Sequence, residues 1–419
     1  MPIAQVPVPS GWQQAQVLVP STGSSFCVSY AGGNLLSSTA SGTHTKHETA
    51  EGRRPSGEHT DGDLDDDSDA DANGEETVLV FLHGAGHTSM SWTLPCLEFG
   101  KLLGSVASET LMLAPDLPFH GQTRVLPDDR DMSMARLVKE LLGCLQAWFA
   151  LGGRGRAGDA GVGRKPLNMV FVGHSLGGAC AIHLARDPGL ASIGRVRGLC
   201  VVDMVEGAAM QSLGHMHERV QKVPARFDSI EAAIEWSVGA GQMIRNEESA
   251  ALSVPAQLRK VTGGRRREEG RGGEGGREGK GEGGKDFQVA GIGEDKGRPP
   301  DEGEGEAEEY YEWITDLRES ERYWRGWFGG LSLAFLALPA PKLLVLAGYS
   351  LLESDRELCS AQMQGAFEVQ FMQGGGHALH EDFPRAWARI LYRFLRWNGV
   401  VREGGREGEW GGGGQGCRP

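Results

Sequence analysis

Short, unbroken apolar runs recur along this chain, and apolar residues return every three or four positions in the stretches between them. Six runs read as strands: 77–82 (TVLVFL), 111–115 (LMLAP), 168–172 (NMVFV), 198–202 (GLCVV), 342–347 (KLLVLA) and 367–372 (FEVQFM). Most are apolar throughout rather than at alternate positions, the pattern of strands buried on both faces of a parallel sheet. Residues 134–149 carry Leu137, Leu141, Leu142, Leu145, Trp148 and Phe149 at helical spacing. Residues 177–186 are a small-residue helix, 383–397 a closing amphipathic helix, and 26–30 an early edge strand. This alternation predicts an α/β fold, with a mostly parallel central sheet flanked by helices.

The alternation lapses between Met204 and Pro339. There, 229–238 is helical (Ile230, Ala233, Ile234, Val238) and 310–328 is rich in Trp and Tyr. These pieces read as a helical cap interrupted by an insert. The expected organisation is an N-terminal extension (1–75) with an edge strand and an acidic insert, then the first part of the core (76–204). The cap (205–340) contains a disordered Gly/Arg/Glu-rich insert at about 262–308. The last part of the core (341–398) and a disordered Gly-rich tail (399–419) follow. Segments such as 60–71, dominated by aspartate, and 263–285 have too little apolar surface to offset the entropy of ordering.

Composition narrows the partners. The formal net charge of the 419 residues is -14, which argues against a nucleic-acid-binding surface. Arg265-Arg266-Arg267 is followed at once by Glu268 and Glu269, so it reads as solvated linker. Seven cysteines (Cys27, Cys96, Cys144, Cys180, Cys200, Cys359, Cys417) are odd in number and lack close pairs, which fits a reducing compartment. No charged, apolar leader and no apolar run near the ~20 residues of a bilayer span appear, so no membrane association is expected. The expected location is cytoplasmic, with the nucleus as a further site.

Chemistry is concentrated at Gly173-His174-Ser175-Leu176-Gly177. G-x-S-x-G between an apolar run and a helical run suits a sharp strand-to-helix turn that exposes a nucleophilic serine. A serine hydroxyl needs a base, and the base an orienting acid. His377, on the loop Gly374-Gly375-Gly376 after the last strand, is the expected base; His380 is its rival, but lies closer to the helix that Phe383 begins and reads as a polar partner there. Asp203 ends the 198–202 strand at the carboxyl edge of the sheet and is the expected acid; Glu353 and Asp355 lie farther out. His83-Gly84-Ala85-Gly86-His87 follows the first core strand. The backbone N–H groups of Ala85 and Leu176 are the expected oxyanion donors. His83 and His87 are four apart but in a glycine turn without a third ligand nearby, so no metal is expected. Asp116 and His120 are expected to organise the loop after the 111–115 strand.

These motifs resemble the protein phosphatase methylesterase family. The resemblance rests on 82–87 with Ser91-Trp92, on Val201-Val202-Asp203-Met204-Val205-Glu206-Gly207 and on Ala233-Ile234-Glu235-Trp236-Ser237-Val238. It extends to Tyr323-Trp324-Arg325-Gly326-Trp327-Phe328, Gln362-Met363-Gln364-Gly365 and Gly376-His377-Ala378-Leu379-His380-Glu381-Asp382, and so covers most of 76–397. It implies the α/β-hydrolase fold, with Ser175 as nucleophile, Asp203 as acid, His377 as base and no cofactor. The implied substrate is the C-terminal methyl ester of the protein phosphatase 2A catalytic subunit, with any metal in the complex belonging to the phosphatase. Two departures fall in the cap: Met243 is an extra residue between Gln242 and Ile244, and Ala251 stands in place of an arginine. The alternatives are a small-molecule carboxylesterase on the same fold, or a protein that holds inactive phosphatase with hydrolysis secondary.

Overall fold

The computed structural model describes residues 11–32, 76–151, 166–262 and 309–402. Its strands are β1 (Gln13–Leu18), β2 (Ser25–Ala31), β3 (Thr77–Leu82), β4 (Thr110–Pro115), β5 (Leu167–His174), β6 (Gly194–Val202), β7 (Leu258–Thr262), β8 (Glu309–Trp313), β9 (Lys342–Leu346) and β10 (Glu368–Phe371). Eight of them form one sheet in the order β1-β2-β4-β3-β5-β6-β9-β10. The six from β4 to β10 run parallel, while β2 is antiparallel to both β1 and β4.

Helices α1 (Thr93–Leu103), α2 (Met134–Leu151) and α3 (Leu176–Ala185) cross between the core strands. Between β6 and β9 the chain adds α4 (Glu206–Gln221), α5 (Ile230–Val238), α6 (Glu247–Ser253), α7 (Leu317–Ser320), α8 (Trp324–Phe328) and α9 (Leu331–Leu336). After β9 come α10 (Tyr349–Glu353), α11 (Arg356–Met363), α12 (Leu379–Asp382) and α13 (Pro384–Trp397).

Strand side chains sort by parity, as a pleated sheet covered on both faces requires. Val78, Val80 and Leu82 join Met169, Phe171, Leu199, Val201, Leu344 and Leu346 in the core shared with α2, α3 and α9. Leu79 and Phe81 join Val170, Val172, Cys200, Val202, Leu343 and Val345 in the core shared with α1 and α13. Each fully buried aliphatic or aromatic side chain contributes about 1.5–3 kcal/mol, so these all-apolar strands carry much of the stability. α13 opens on Pro384, whose missing N–H costs nothing in a first turn, and buries Trp387, Leu391, Phe394 and Leu395 while its arginines face solvent. No helix among the described residues is long and apolar enough to cross a membrane.

Three expectations change. The 26–30 run is not the sheet edge: β1 covers β2, and its glutamine-rich sequence buries only Val17. The cap is not purely helical. β7 and β8 pair antiparallel, with Thr262 opposite Glu309, so the segment read as insert from 262 begins inside a strand, and 263–308 lies outside the described residues. α4 fills part of the lapse after Met204 with no fully buried residue, which is why no apolar stripe announces it. A small separate core of Phe227, Ala233, Ile244, Ala250, Val254 and Leu258 gathers around the rings of Phe227, Trp236 and Trp313, whose centroids lie 5.4–6.0 Å apart.

At the carboxyl end of the sheet, His83, His120, His174 and His380 are sealed from solvent. Burial is the main force on each and pushes its pKa down, to about 4 for His120 and well below 6.5 for the others. Neighbouring imidazoles add repulsion against the charged form.

Two outcomes follow. The unfolded chain takes up protons on these imidazoles below about pH 6.5 while the folded chain does not, so stability present at neutral pH is lost as pH falls. For His120 the loss continues down to about 4 and then levels off. Urea unfolding at pH 7, 6 and 5 should show a fall of about 1.4 kcal/mol per pH unit for each titrating imidazole; a constant midpoint would refute the buried neutral state. Separately, since Thr262 and Glu309 are register partners, replacing 263–308 with an Asn-Gly turn should leave small-ester turnover intact. Shorter loop closure should hold or raise the stability, by about 3 kcal/mol at most. Loss of a cooperative melt in that variant would show the segment to be structural.

Candidate active site

β5 ends at His174 and α3 begins at Leu176, so Ser175 alone reverses the chain. Its φ of 50° and ψ of -117° cost a side-chain-bearing residue about 1–3 kcal/mol. A Cβ at Gly173 would lie 2.2 Å from the Gly177 oxygen, and one at Gly177 would lie 2.1 Å from the Leu82 oxygen. Both positions therefore need glycine. The Ser175 N–H donates to Val202 O at 3.1 Å, which ties the turn to the next strand. The N-terminus of α3 directs its partial positive charge toward the serine.

Asp203 stands one residue beyond β6, also with φ of 50°. Its N–H donates to Val345 O at 2.7 Å, and its Oδ1 accepts from Ala347 N–H at 2.8 Å. The other oxygen, Oδ2, meets His377 Nδ1 at 2.8 Å. The carboxylate side chain is 7% exposed and the imidazole 55%, so a buried acid holds a ring whose far edge is open to a ligand. Nδ1–H donating to the carboxylate leaves Nε2 as the free acceptor. His174 Nε2 donates to His377 O at 2.9 Å, joining the serine turn to the His377 loop. Among the described residues no hydrogen bond joins Ser175 Oγ to His377.

The rival residues are occupied elsewhere. Asp355 is buried, caps α11 through Leu358 N–H at 3.0 Å and accepts from Gly207 N–H at 3.3 Å and Ser332 Oγ–H at 2.5 Å. Glu353 faces solvent. His380 makes no hydrogen bond among the described residues, to the helix that Phe383 begins or elsewhere: it is fully buried, with ring centroids 4.1 Å from Trp92 and 4.7 Å from His174.

The loop after β3 lies on the serine turn. A Cβ at Gly84 would be 3.5 Å from Ser175 Cβ and 2.6 Å from His174 Nδ1. Leu117 N–H donates to His83 Nε2 at 2.8 Å, which makes Nδ1 the protonated nitrogen, and Nδ1 donates to Gly84 O at 2.8 Å. His87 N–H reaches the same carbonyl at 3.1 Å. With the Gly84 carbonyl held, the N–H of that trans peptide, which belongs to Ala85, points the opposite way. Among the described residues neither the Ala85 nor the Leu176 N–H is spent on an internal hydrogen bond. The arrangement can polarise a carbonyl and receive the negative charge of a tetrahedral adduct. Asp116 and His120 organise the neighbouring loop: Asp116 accepts from Ser89 N–H at 2.8 Å and Gln122 N–H at 2.9 Å, and His120 Nδ1 donates to Pro118 O at 2.9 Å. Burial raises the Asp116 carboxyl pKa despite those two N–H donors.

A cleft of about 260 Å³ runs from Gly86 along the cap, lined by Met243, Gln257 and Trp313 to Leu317. A larger cavity of about 820 Å³ lies between α4 and α7–α8, around His217, Arg322 and Arg325, and shares no lining residue with the serine turn or the His377 loop. The smaller cleft meets the site at Gly86 alone, beside the Gly84–Gly86 loop, and neither cavity is lined by Ser175, Asp203 or His377. Met243 lines this cleft, while Ala251 is exposed on α6. Sequence reasoning gave no role to His174 or to Glu381, whose carboxylate meets His87 Nδ1 at 3.1 Å. A charged residue beside a histidine in Leu379-His380-Glu381-Asp382 was the available signal.

Residues 79–390 match the family model described as the alpha/beta hydrolase family. Protein phosphatase methylesterase 1 of Bos taurus is 36% identical over 333 residues, which span 77% of this chain and 77% of that protein. The Homo sapiens protein of the same name is 36% identical over 77% of this chain and 76% of its own length. That of Schizosaccharomyces pombe is 30% identical over 77% and 75%. Among solved structures, E-2-(acetamidomethylene)succinate hydrolase superposes with a TM-score of 0.54 at 13% identity, over 92% of this chain and 99% of that one, a likeness of fold alone. With relatives of this identity aligned over most of both sequences, on a parallel sheet that matches the hydrolase model, the chain belongs to the protein phosphatase methylesterase family and is a carboxylic ester hydrolase of the α/β-hydrolase fold.

Proposed function

We propose that Ser175, Asp203 and His377 act as nucleophile, acid and base in demethylating the C-terminal carboxyl of the protein phosphatase 2A catalytic subunit. The observation that carries this reading is the 2.8 Å bond between His377 Nδ1 and Asp203 Oδ2, one strand away from the Ser175 turn. His377 Nε2 takes the Ser175 proton as Oγ attacks the ester carbonyl. The oxyanion forms between the Ala85 and Leu176 N–H groups, each such donor contributing ~3–4 kcal/mol in the transition state. His377 then gives that proton to the departing methoxy oxygen, so that methanol leaves, and the same imidazole activates water to release the free carboxylate and restore the serine hydroxyl. Each step uses only groups of the chain and water. The Ser175–His377 contact closes when substrate fills the site, as catalytic hydrogen bonds often do. The phosphatase as substrate is supported by the name the relatives share, and the cleft beside Gly86 suits an extended chain end.

Incubation with methylated phosphatase should remove one methyl group from the C-terminal residue, read by mass spectrometry; turnover of aryl esters without demethylation would favour the small-ester alternative. Ser175→Ala should abolish both activities with an unchanged melt, and fluorophosphonate labelling of any other residue would sink the nucleophile assignment. Asp203→Asn should lower kcat about 10⁴-fold by favouring the wrong imidazole tautomer. Asp355→Asn should instead cost about 1–3 kcal/mol of stability, because it disturbs a buried cap, with kcat little changed. The reverse ranking would move the acid to the later strand.

A further inference from the structure

The sheet does not brace the residue proposed as base. β10 ends at Phe371, and His377 follows three consecutive glycines, the backbone with the widest conformational freedom. Apart from Asp203 and the His174 bond below, that loop is held by two groups outside the core strands. Asp382 Oδ2 accepts from Gly376 N–H at 2.5 Å, and the Arg245 guanidinium donates to Gly374 O. The two are linked, since Asp382 Oδ1 accepts Arg245's own backbone N–H at 2.7 Å. Arg245 lies between α5 and α6 in the cap, and one turn later Ser249 Oγ–H donates to Glu381 O at 2.8 Å. Glu381 in turn holds His87 of the loop after β3. A single turn, α12, thus touches the cap, the base loop and the loop expected to bind the oxyanion.

We propose that Arg245 and Asp382 are positioning residues that clamp Gly374 and Gly376, so that the seating of the cap sets the alignment of His377. The inference rests on His377 being the general base. Asp382 is buried, and both its oxygens face backbone N–H donors. An amide there would turn an NH₂ group against one of them. Arg245 is exposed, so its guanidinium can be removed without opening a core.

The test uses the full chain with p-nitrophenyl acetate as substrate. Misplacing a catalytic group by about 1 Å can cost ~100-fold, so Arg245→Met should lower kcat ~10–100-fold with KM little changed. The far-downfield proton resonance of His377 Nδ1–H should broaden or vanish, while the thermal midpoint holds. Arg245→Lys, which keeps a donor, should recover part of the rate and of the signal. Asp382→Asn should show the same spectral loss; if it fails to fold, Arg245→Met decides. Native kcat and an intact resonance in Arg245→Met would overturn the clamp. So would a drop in kcat with the resonance unchanged, which would assign Arg245 to the substrate. Activity surviving in His377→Ala would overturn the base assignment itself, whereas activity lost there but kept in Arg245→Met overturns the clamp alone.

Discussion

The parallel register of β5, β6 and β9 is the constraint on which the rest depends. Ser175 and Asp203 each stand one residue beyond a strand, and each donates its N–H to the end of the neighbouring strand, Val202 and Val345 respectively. Both hold a left-handed φ that a non-glycine residue avoids. The ladder bonds and the packed apolar strands behind them offset that strain. A one-residue slip of β6 would reverse its buried faces and carry Asp203 away from His377.

A second constraint is electrical. The carboxyl end of the sheet is lined with imidazoles that burial keeps neutral, and neutrality is what gives each a donor and an acceptor side. His83 uses both, accepting from Leu117 and donating to Gly84, and so fixes the peptide that carries the Ala85 N–H. His174 uses one, on the His377 carbonyl. Adding a proton to His83 would set two N–H donors against each other at Leu117, so orientation of the loop and protonation of the ring are one property.

Strand sequences that are mostly apolar made the sheet legible from sequence, and the glycine-flanked Ser175, Asp203 one residue past a strand and His377 after its three glycines stood out as candidates. What stayed hidden has physical reasons. β1 buries one side chain among glutamines, so neither period nor composition marks it. Tyr310, Tyr311 and Trp313 suit a strand, but their partners lie across residues 263–308, and five residues of pattern cannot name a remote mate. α4 lies on the surface without a fully buried residue. The hold of Asp382 on Gly376 and Arg245 goes through backbone N–H groups, which leave no trace in side-chain identity.

The pairing of Thr262 with Glu309 has a consequence for how such a chain can change over generations. A segment that departs and returns at facing residues of one hairpin imposes no net displacement on its stem, whatever its length. Insertions and deletions at that point are therefore nearly silent to selection on folding. Only what the added residues themselves touch can then be favoured or purged, and this hairpin is a place where a family member can acquire new contacts without renegotiating its catalytic geometry.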